Sequence, residues 1–157
     1  MLDASFNLEG VDEALAKMKQ VEELPRKRST RFALRKAAAI VRENVAARAA
    51  RLDDPKTAES IAANVVVRYD GAYMRQTRDM KMSVGILGGS TSRFKNQANP
   101  GGDTYYWRFL EFGTAKMPAV PFMRPGMEES IEPATDEFLQ QFDKALVRAI
   151  RRANRGR

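Results

Sequence analysis

RKRSTRFALRKAAAIVRENVAARAARL, residues 26–52, is where the architecture of this chain is written most clearly. Leu34, Ala37, Ala38, Val41, Val45, Ala49 and Leu52 recur at the three-and-four spacing of one helix face, and the abundance of alanine favours that conformation. Advancing about 100° per residue puts Arg28, Arg31, Arg35 and Arg42 in a second stripe beside the apolar one. Phe32 and Ile40 point away from both and call for a second packing partner, within the fold or in another chain. Asp53-Asp54-Pro55 stops the helix, and Thr57 to Ala63 has room for one further turn.

Upstream, residues 4–9 read as a short strand. Gly10 then precedes a helical pattern carried by Val11, Leu15 and Met18, ended by Pro25. Downstream the chain turns to β structure. Asn64 to Tyr69 is rich in β-branched residues, and Met80, Met82, Val84 and Ile86 alternate with polar or small neighbours up to Leu87. This predicts a hairpin whose long connection, Asp70 to Asp79, projects from the body as an extended arm. Gly88 to Thr104 holds four glycines and little to bury, and reads as a flexible loop. Tyr105 to Phe112 concentrates five aromatics, compatible with either a buried strand or a short helix. Pro118, Pro121 and Pro125 bracket Phe122-Met123-Arg124 in a rigid extended connection. Pro133 suits a helix start, and Phe138, Phe142, Leu146, Ala149 and Ala153 give the last helix its apolar face, with residues 154–157 expected to fray. The sum is one domain over residues 1–157, of α+β class, with helices packed on a small antiparallel sheet and a projecting β-hairpin.

The 157 residues include no Cys and no His, which excludes disulfide frameworks, thiol nucleophiles and histidine general-base mechanisms. Structural zinc loses its usual ligands as well. No run of about twenty apolar residues occurs and the N-terminus lacks a signal-peptide pattern, so the expectation is a protein made and kept in the cytoplasm, without a membrane partner. The net charge of +7 is unevenly spread: residues 1–25 carry −4, residues 26–52 carry +8 and residues 137–157 carry +4. A basic helix of this kind suits nucleic acid or an acidic surface, but residues that read bases are scarce on it. Core packing explains the aromatic cluster better than base stacking, because no ribonucleoprotein signature surrounds it. The acid pairs Asp53-Asp54 and Glu128-Glu129 fit no metal motif, and Gly85-Ile86-Leu87-Gly88-Gly89 lacks the Lys and Ser/Thr of a phosphate loop. No cofactor is expected. Glu111, flanked by Leu110 and Phe112, is read either as an exposed acid on an edge or as a carboxylate near apolar surface that needs a partner such as Arg124.

At WRFLEFGTAKMPAVPFMRP, residues 107–125, the chain resembles the small "gene product ten-like" tail components of lambdoid siphophages, the tail-completion or head–tail joining proteins. Their hallmark is an aromatic segment ending in Glu-Phe-Gly-Thr, a short Lys-Met-Pro linker, then Pro-Phe-x-Arg-Pro at the start of a C-terminal helix. Glu111, Phe112, Gly113, Thr114, Pro121, Phe122, Arg124 and Pro125 stand at those positions. Where the family commonly has Ala after the last proline this chain has Gly126, which locally weakens a helix start. The resemblance implies a virion structural protein without chemical turnover, forming a ring, expected to be hexameric, at the head-proximal end of the tail. Its implied partners are further copies of itself, the head–tail connector, the tail terminator or tube, and non-specific contact with DNA in the channel. Candidate interface residues are Arg28, Arg31, Phe32, Arg35, Ile40 and Arg42 on the long helix. Trp107, Glu111, Phe112, Gly113, Pro121, Phe122, Arg124 and Pro125 are those of the aromatic–proline segment. The alternatives are a tail-terminator ring subunit and a non-specific DNA-binding accessory protein.

Overall fold

The computed structural model describes residues 26–53, 56–57, 59–87 and 99–155. The strand expected over residues 4–9 and the helix after Gly10 lie outside the described residues, as does most of the glycine-rich loop. The order of elements is α1 (Arg26–Ala49), a 3-10 turn (Ala62–Asn64), β1 (Val65–Tyr69), α2 (Gly71–Thr77), β2 (Met82–Ile86), α3 (Trp107–Phe112), α4 (Met123–Glu128) and α5 (Ile131–Arg155). Helices packed on a small antiparallel sheet make this the α+β architecture expected.

α1 is the central element because its apolar residues serve two layers. Its most extensive contact is with α5, and it also touches α4 and both strands. α5 starts beside the last turns of α1, where Asn44 Nδ2 donates to Ser130 Oγ at 3.1 Å, and therefore runs back along α1 as the second arm of an antiparallel helical hairpin. Alanines at Ala33, Ala37, Ala38, Ala134 and Ala149 are buried, and small residues let helix axes approach closely. Phe142 is buried and stacks on Phe138 with ring centroids 5.9 Å apart. At the other end, Val45, Ala49, Ile61, Val65 and Phe122 form the core, against which Val84, Ile86, Trp107 and Leu110 pack. Full burial of a side chain such as Phe122 contributes about 1.5–3 kcal/mol.

The sheet has two strands in antiparallel register, with Val65 opposite Ile86, Val67 opposite Val84 and Tyr69 opposite Met82. These alternate with Arg68 and Ser83, a pair exposed on the other side. The extended arm expected over Asp70 to Asp79 is instead mostly helical. Asp70 Oδ1 accepts the Tyr73 N–H at 2.9 Å as an N-cap, and Arg78 closes α2 in the left-handed region at φ 68°. A second correction concerns the proline segment: its extended part ends at Phe122, and Arg124 and Pro125 lie in the first turn of α4, where proline's missing N–H costs nothing. Pro133 likewise sits in the first turn of α5. The aromatic segment, open between strand and helix on sequence, is helical as α3.

Asp53 organises the passage from α1 to the sheet. Its Oδ1 accepts the Ile61 N–H at 2.7 Å and its Oδ2 accepts the Ser60 hydroxyl at 2.9 Å, so the carboxylate caps the 3-10 turn. Residues 99–104 are fixed to the same region. Asn64, fully buried, donates to Gly102 O at 2.9 Å and to Thr104 Oγ1 at 2.8 Å, and accepts the Gly101 N–H at 2.8 Å.

Candidate functional site

The Glu-Phe-Gly-Thr segment makes a sharp corner. α3 ends at Gly113, whose N–H donates to Phe109 O at 2.9 Å and whose φ of 75° with ψ of 178° is a conformation open essentially to glycine alone. Thr114 and Met117 then pair as an isolated bridge, folding the chain back so that Val120 N–H reaches Leu110 O at 2.8 Å. A Cβ on Gly113 would stand 2.9 Å from Ala119 N and 3.0 Å from Met117 O, both backbone atoms. Gly113→Ala is therefore expected to lower stability by about 2 kcal/mol, from torsional strain and crowding, measured as a lower urea midpoint in an otherwise two-state transition.

Folding back brings Glu111 under the start of α4. Its side chain is 2% exposed, yet every polar contact is satisfied. Oε2 accepts the Phe122 N–H at 2.8 Å and the Met123 N–H at 2.9 Å, while Oε1 accepts the Arg124 N–H at 3.2 Å and Arg124 Nε at 3.1 Å. Arg124 Nη2 also donates to Glu111 O at 2.9 Å. The first amides of α4, orphaned by the helix geometry, thus share one carboxylate supplied from another helix. Burial is the largest influence on that carboxyl and pushes its pKa up. It is outweighed by the N–H groups of Met123 and Phe122 and by the Arg124 side chain and N–H, which together hold it below the ordinary glutamate value. Of the two sequence readings of Glu111, the buried and paired one is observed.

The opposite side of the corner faces solvent. Phe112 is 61% exposed with the Arg124 guanidinium 5.4 Å from its ring centroid, and Phe109, Val120 and Met127 are exposed as well. Pro121 is exposed and Pro125 half-buried, whereas Phe122 is buried in the core and Trp107 is half-buried against it. Glu111, Phe122 and Trp107 consequently act inside the fold, and Phe112, Pro121 and Arg124 form its outer surface. On α1, Arg31, Phe32, Arg35 and Arg42 are exposed, with Arg31 lying 4.1 Å over the Tyr69 ring. Ile40, expected to point away from the packed face, is half-buried. The Arg28 side chain lies outside the described residues. The structure does not bring the α1 stripe and the corner into one site.

Gly126 has a role that its local effect on the helix concealed. A Cβ there would stand 2.9 Å from Val45 Cγ2 and 3.2 Å from Val45 Cα, so glycine sets the close crossing of α4 over α1. Asn44 Nδ2 donates to Gly126 O at 3.2 Å, and Arg48 pairs with Glu129, whose carboxyl it holds below the ordinary value. None of these long-range partners carries a sequence signal of its own. Among the described residues no group of three or more carboxylates is placed to hold a metal ion, and no helix is long and apolar enough to cross a membrane.

Fold and corner together define an α+β protein that braces an apolar surface from within by a buried carboxylate. Residues 12–113, well over half of the chain, match the family model described as "Bacteriophage HK97-gp10, putative tail-component", and the chain belongs to that family of phage tail components. The match ends at Gly113, so Pro121 to Pro125 lie beyond it, although Glu111 ties the two parts physically. No curated protein and no solved structure matches the chain.

Proposed function

We propose that the protein is a structural part of a tailed-phage virion. Copies form a ring, hexameric in this reading, at the head-proximal end of the tail, completing the tail and joining it to the head. The carrying observation is the corner: a buried carboxylate holds two short helices rigidly while Phe109, Phe112, Val120 and Met127 remain exposed. Apolar side chains fixed outward on a rigid frame suit contact with a neighbouring protein in the neck or tail. The role is assembly without chemical turnover; Asp53 of one acid pair is engaged in a cap and Glu129 of the other with Arg48. Assembly takes place in the host cytoplasm and the mature location is the virion.

A phage deleted for this gene tests the reading by electron microscopy. The expected result is filled heads beside separate tails of normal length. Overlong tails would favour a terminator, and intact infectious particles would remove the protein from the neck altogether. For the purified chain, duplex-DNA affinity that falls steeply with salt is the outcome the accessory-protein alternative requires.

A further inference from the structure

The α1–α5 hairpin has a sheet side and an open side, and the open side gathers cations. α1 meets α5 through Ala33, Ala37 and Asn44, and meets the sheet through Val45 and Ala49 of the core and through Arg31, 4.1 Å over the Tyr69 ring. Advancing about 100° per residue, Lys36 lies about 80° from the Ala33–Ala37 line, turned away from the sheet. The contact line on α5 runs through Ala134, Phe142 and Ala149. Arg148 lies about 90° from that line, and Lys144 and Arg151 about 130–150°, all turned in the same sense as Lys36. In an antiparallel pair of right-handed helices, equal turns in one sense end on the same side. Lys36, Lys144, Arg148 and Arg151 therefore share the open face, and all four are exposed. Asp136 and Asp143 turn in the opposite sense, toward the sheet side, and Asp143 is already engaged within the chain.

Little on this face neutralises them. Residues 26–42 hold seven Lys/Arg and residues 144–157 six, with no Asp or Glu in either stretch, and the antiparallel arrangement joins the two at the end of the hairpin remote from the corner. The acids of the open face are Glu43 and Glu137. Glu43 meets Arg42 at 3.8 Å, and Glu137 Oε1 accepts from Gln141 Nε2 at 3.0 Å. Among the described residues no carboxylate pairs with Lys36, Lys144, Arg148 or Arg151, and the Lys36 ammonium stands 5.9 Å from the Phe32 ring centroid. Phe32 is the one large apolar side chain exposed on this face, whereas the centre of a protein contact is apolar and poor in lysine. Lys144 to Arg151 spans about 10.5 Å, a length over which a DNA duplex presents about six negative charges. We infer that the open face of the hairpin binds the phosphate backbone of duplex DNA. This rests on the proposed place in the virion, because a subunit at the head–tail junction adjoins the path of the DNA. The corner packs at the Val45 end of α1, so contacts with protein and with DNA use opposite ends of one helix.

The probe is a fluorescently labelled duplex of mixed sequence, about 20 base pairs long, titrated with the full chain and followed by anisotropy. Four phosphate contacts predict a slope of about −3.6 in log affinity against log salt, a loss of roughly 100-fold between about 50 and 200 mM NaCl. Lys144→Ala/Arg148→Ala, verified as folded by circular dichroism, is expected to reduce the slope to about −1.8 and the loss to roughly 10-fold. Arg75→Ala/Lys116→Ala removes two exposed cations from other surfaces and is expected to leave the slope as it was. Absence of binding at the lowest salt would overturn the inference, as would an unchanged slope in the first variant or an equal reduction in both. A first variant that loses self-association by light scattering while keeping the native slope would make this face a contact between copies, and the inference falls. The functional reading fails separately. If deletion of the gene separates filled heads from tails while the chain has no affinity for DNA, the neck role stands and this face does not. If deletion leaves intact infectious particles while the salt slope and its loss are as expected, the DNA face stands and the neck role does not.

Discussion

Glu111→Gln is expected to lower folding stability by about 4 kcal/mol, within the range for removing one partner of a buried, hydrogen-bonded charge. The native carboxylate accepts from three backbone N–H groups and from Arg124 Nε, using both oxygens. Glutamine keeps the shape but turns one acceptor into a donor, so an NH2 group faces either the Phe122 and Met123 amides or the Arg124 donors. Neither orientation satisfies the set, and Phe122 sits in the core, away from replacement water. Arg124→Ala is expected to cost about 1 kcal/mol, because the arginine is largely exposed and water replaces what it loses. Urea unfolding of both variants checks the ordering. Equal losses would mean that the ion pair, and not the cap on α4, holds the corner. The acid limb gives an independent reading. The folded-state carboxyl lies below its ordinary value of 4.5, so its contribution is complete above that pH and is lost as pH falls through the lowered folded-state pKa. The stability gap between the native chain and Glu111→Gln should therefore narrow on acidification through that window.

Why Glu111 was partly legible while other residues were not follows from where the information lies. α1 and α5 declare themselves because burial of one face repeats every three or four residues, and Ala37, Val45, Phe142 and Ala149 are indeed buried. An acid between Leu110 and Phe112 signals a charge near apolar surface, and a nearby arginine beyond a proline-rich turn is a natural partner. α2 was missed because seven residues beginning with glycine show little periodicity. The readable sign was Asp70, an N-cap residue at the right place. Gly126 looked like a weakness because helix propensity is local, whereas its reason is Val45 on a distant part of the chain. Phe122 looked like part of a surface motif because sequence adjacency to Pro121 and Arg124 does not reveal that its ring turns inward. The grouping of Asn64 with Gly101, Gly102 and Thr104 had no signal at all. Small and polar residues are the composition of any loop, and the pairing is visible only after the chain has closed on itself.

That closure predicts the second large effect. Gly101→Ala is expected to cost about 3 kcal/mol, although it adds one methyl group outside any helix or strand. A Cβ at Gly101 would stand 1.9 Å from Ser60 O and 3.0 Å from both Asn64 Cγ and Oδ1. Ser60 O is backbone, and Ser60 N–H is itself bound to Gly101 O at 2.8 Å, so neither segment can yield without losing that bond. Movement of residues 99–104 also takes away the partners of the fully buried Asn64 amide: the Gly101 N–H, Gly102 O and the Thr104 hydroxyl. Crowding of this kind costs about 1–3 kcal/mol, and a buried polar group left unpaired adds about 1–3 kcal/mol. Gly85→Ala is the matched control, since its Cβ would meet nothing within 4 Å and alanine restricts the unfolded strand more than glycine does. It is expected to be neutral or stabilising by about 0.5 kcal/mol. Urea midpoints of the two variants, with hydrogen exchange at Leu87, whose N–H donates to Asn64 O at 2.8 Å, provide the measurement. If Gly101→Ala unfolds at the same urea concentration as Gly85→Ala and Leu87 stays protected, residues 99–104 do not anchor the sheet. A large loss in Gly101→Ala with faster exchange at Leu87 shows instead that Asn64 joins the end of the hairpin to the segment entering α3, so that the strands and the corner are held by one buried amide.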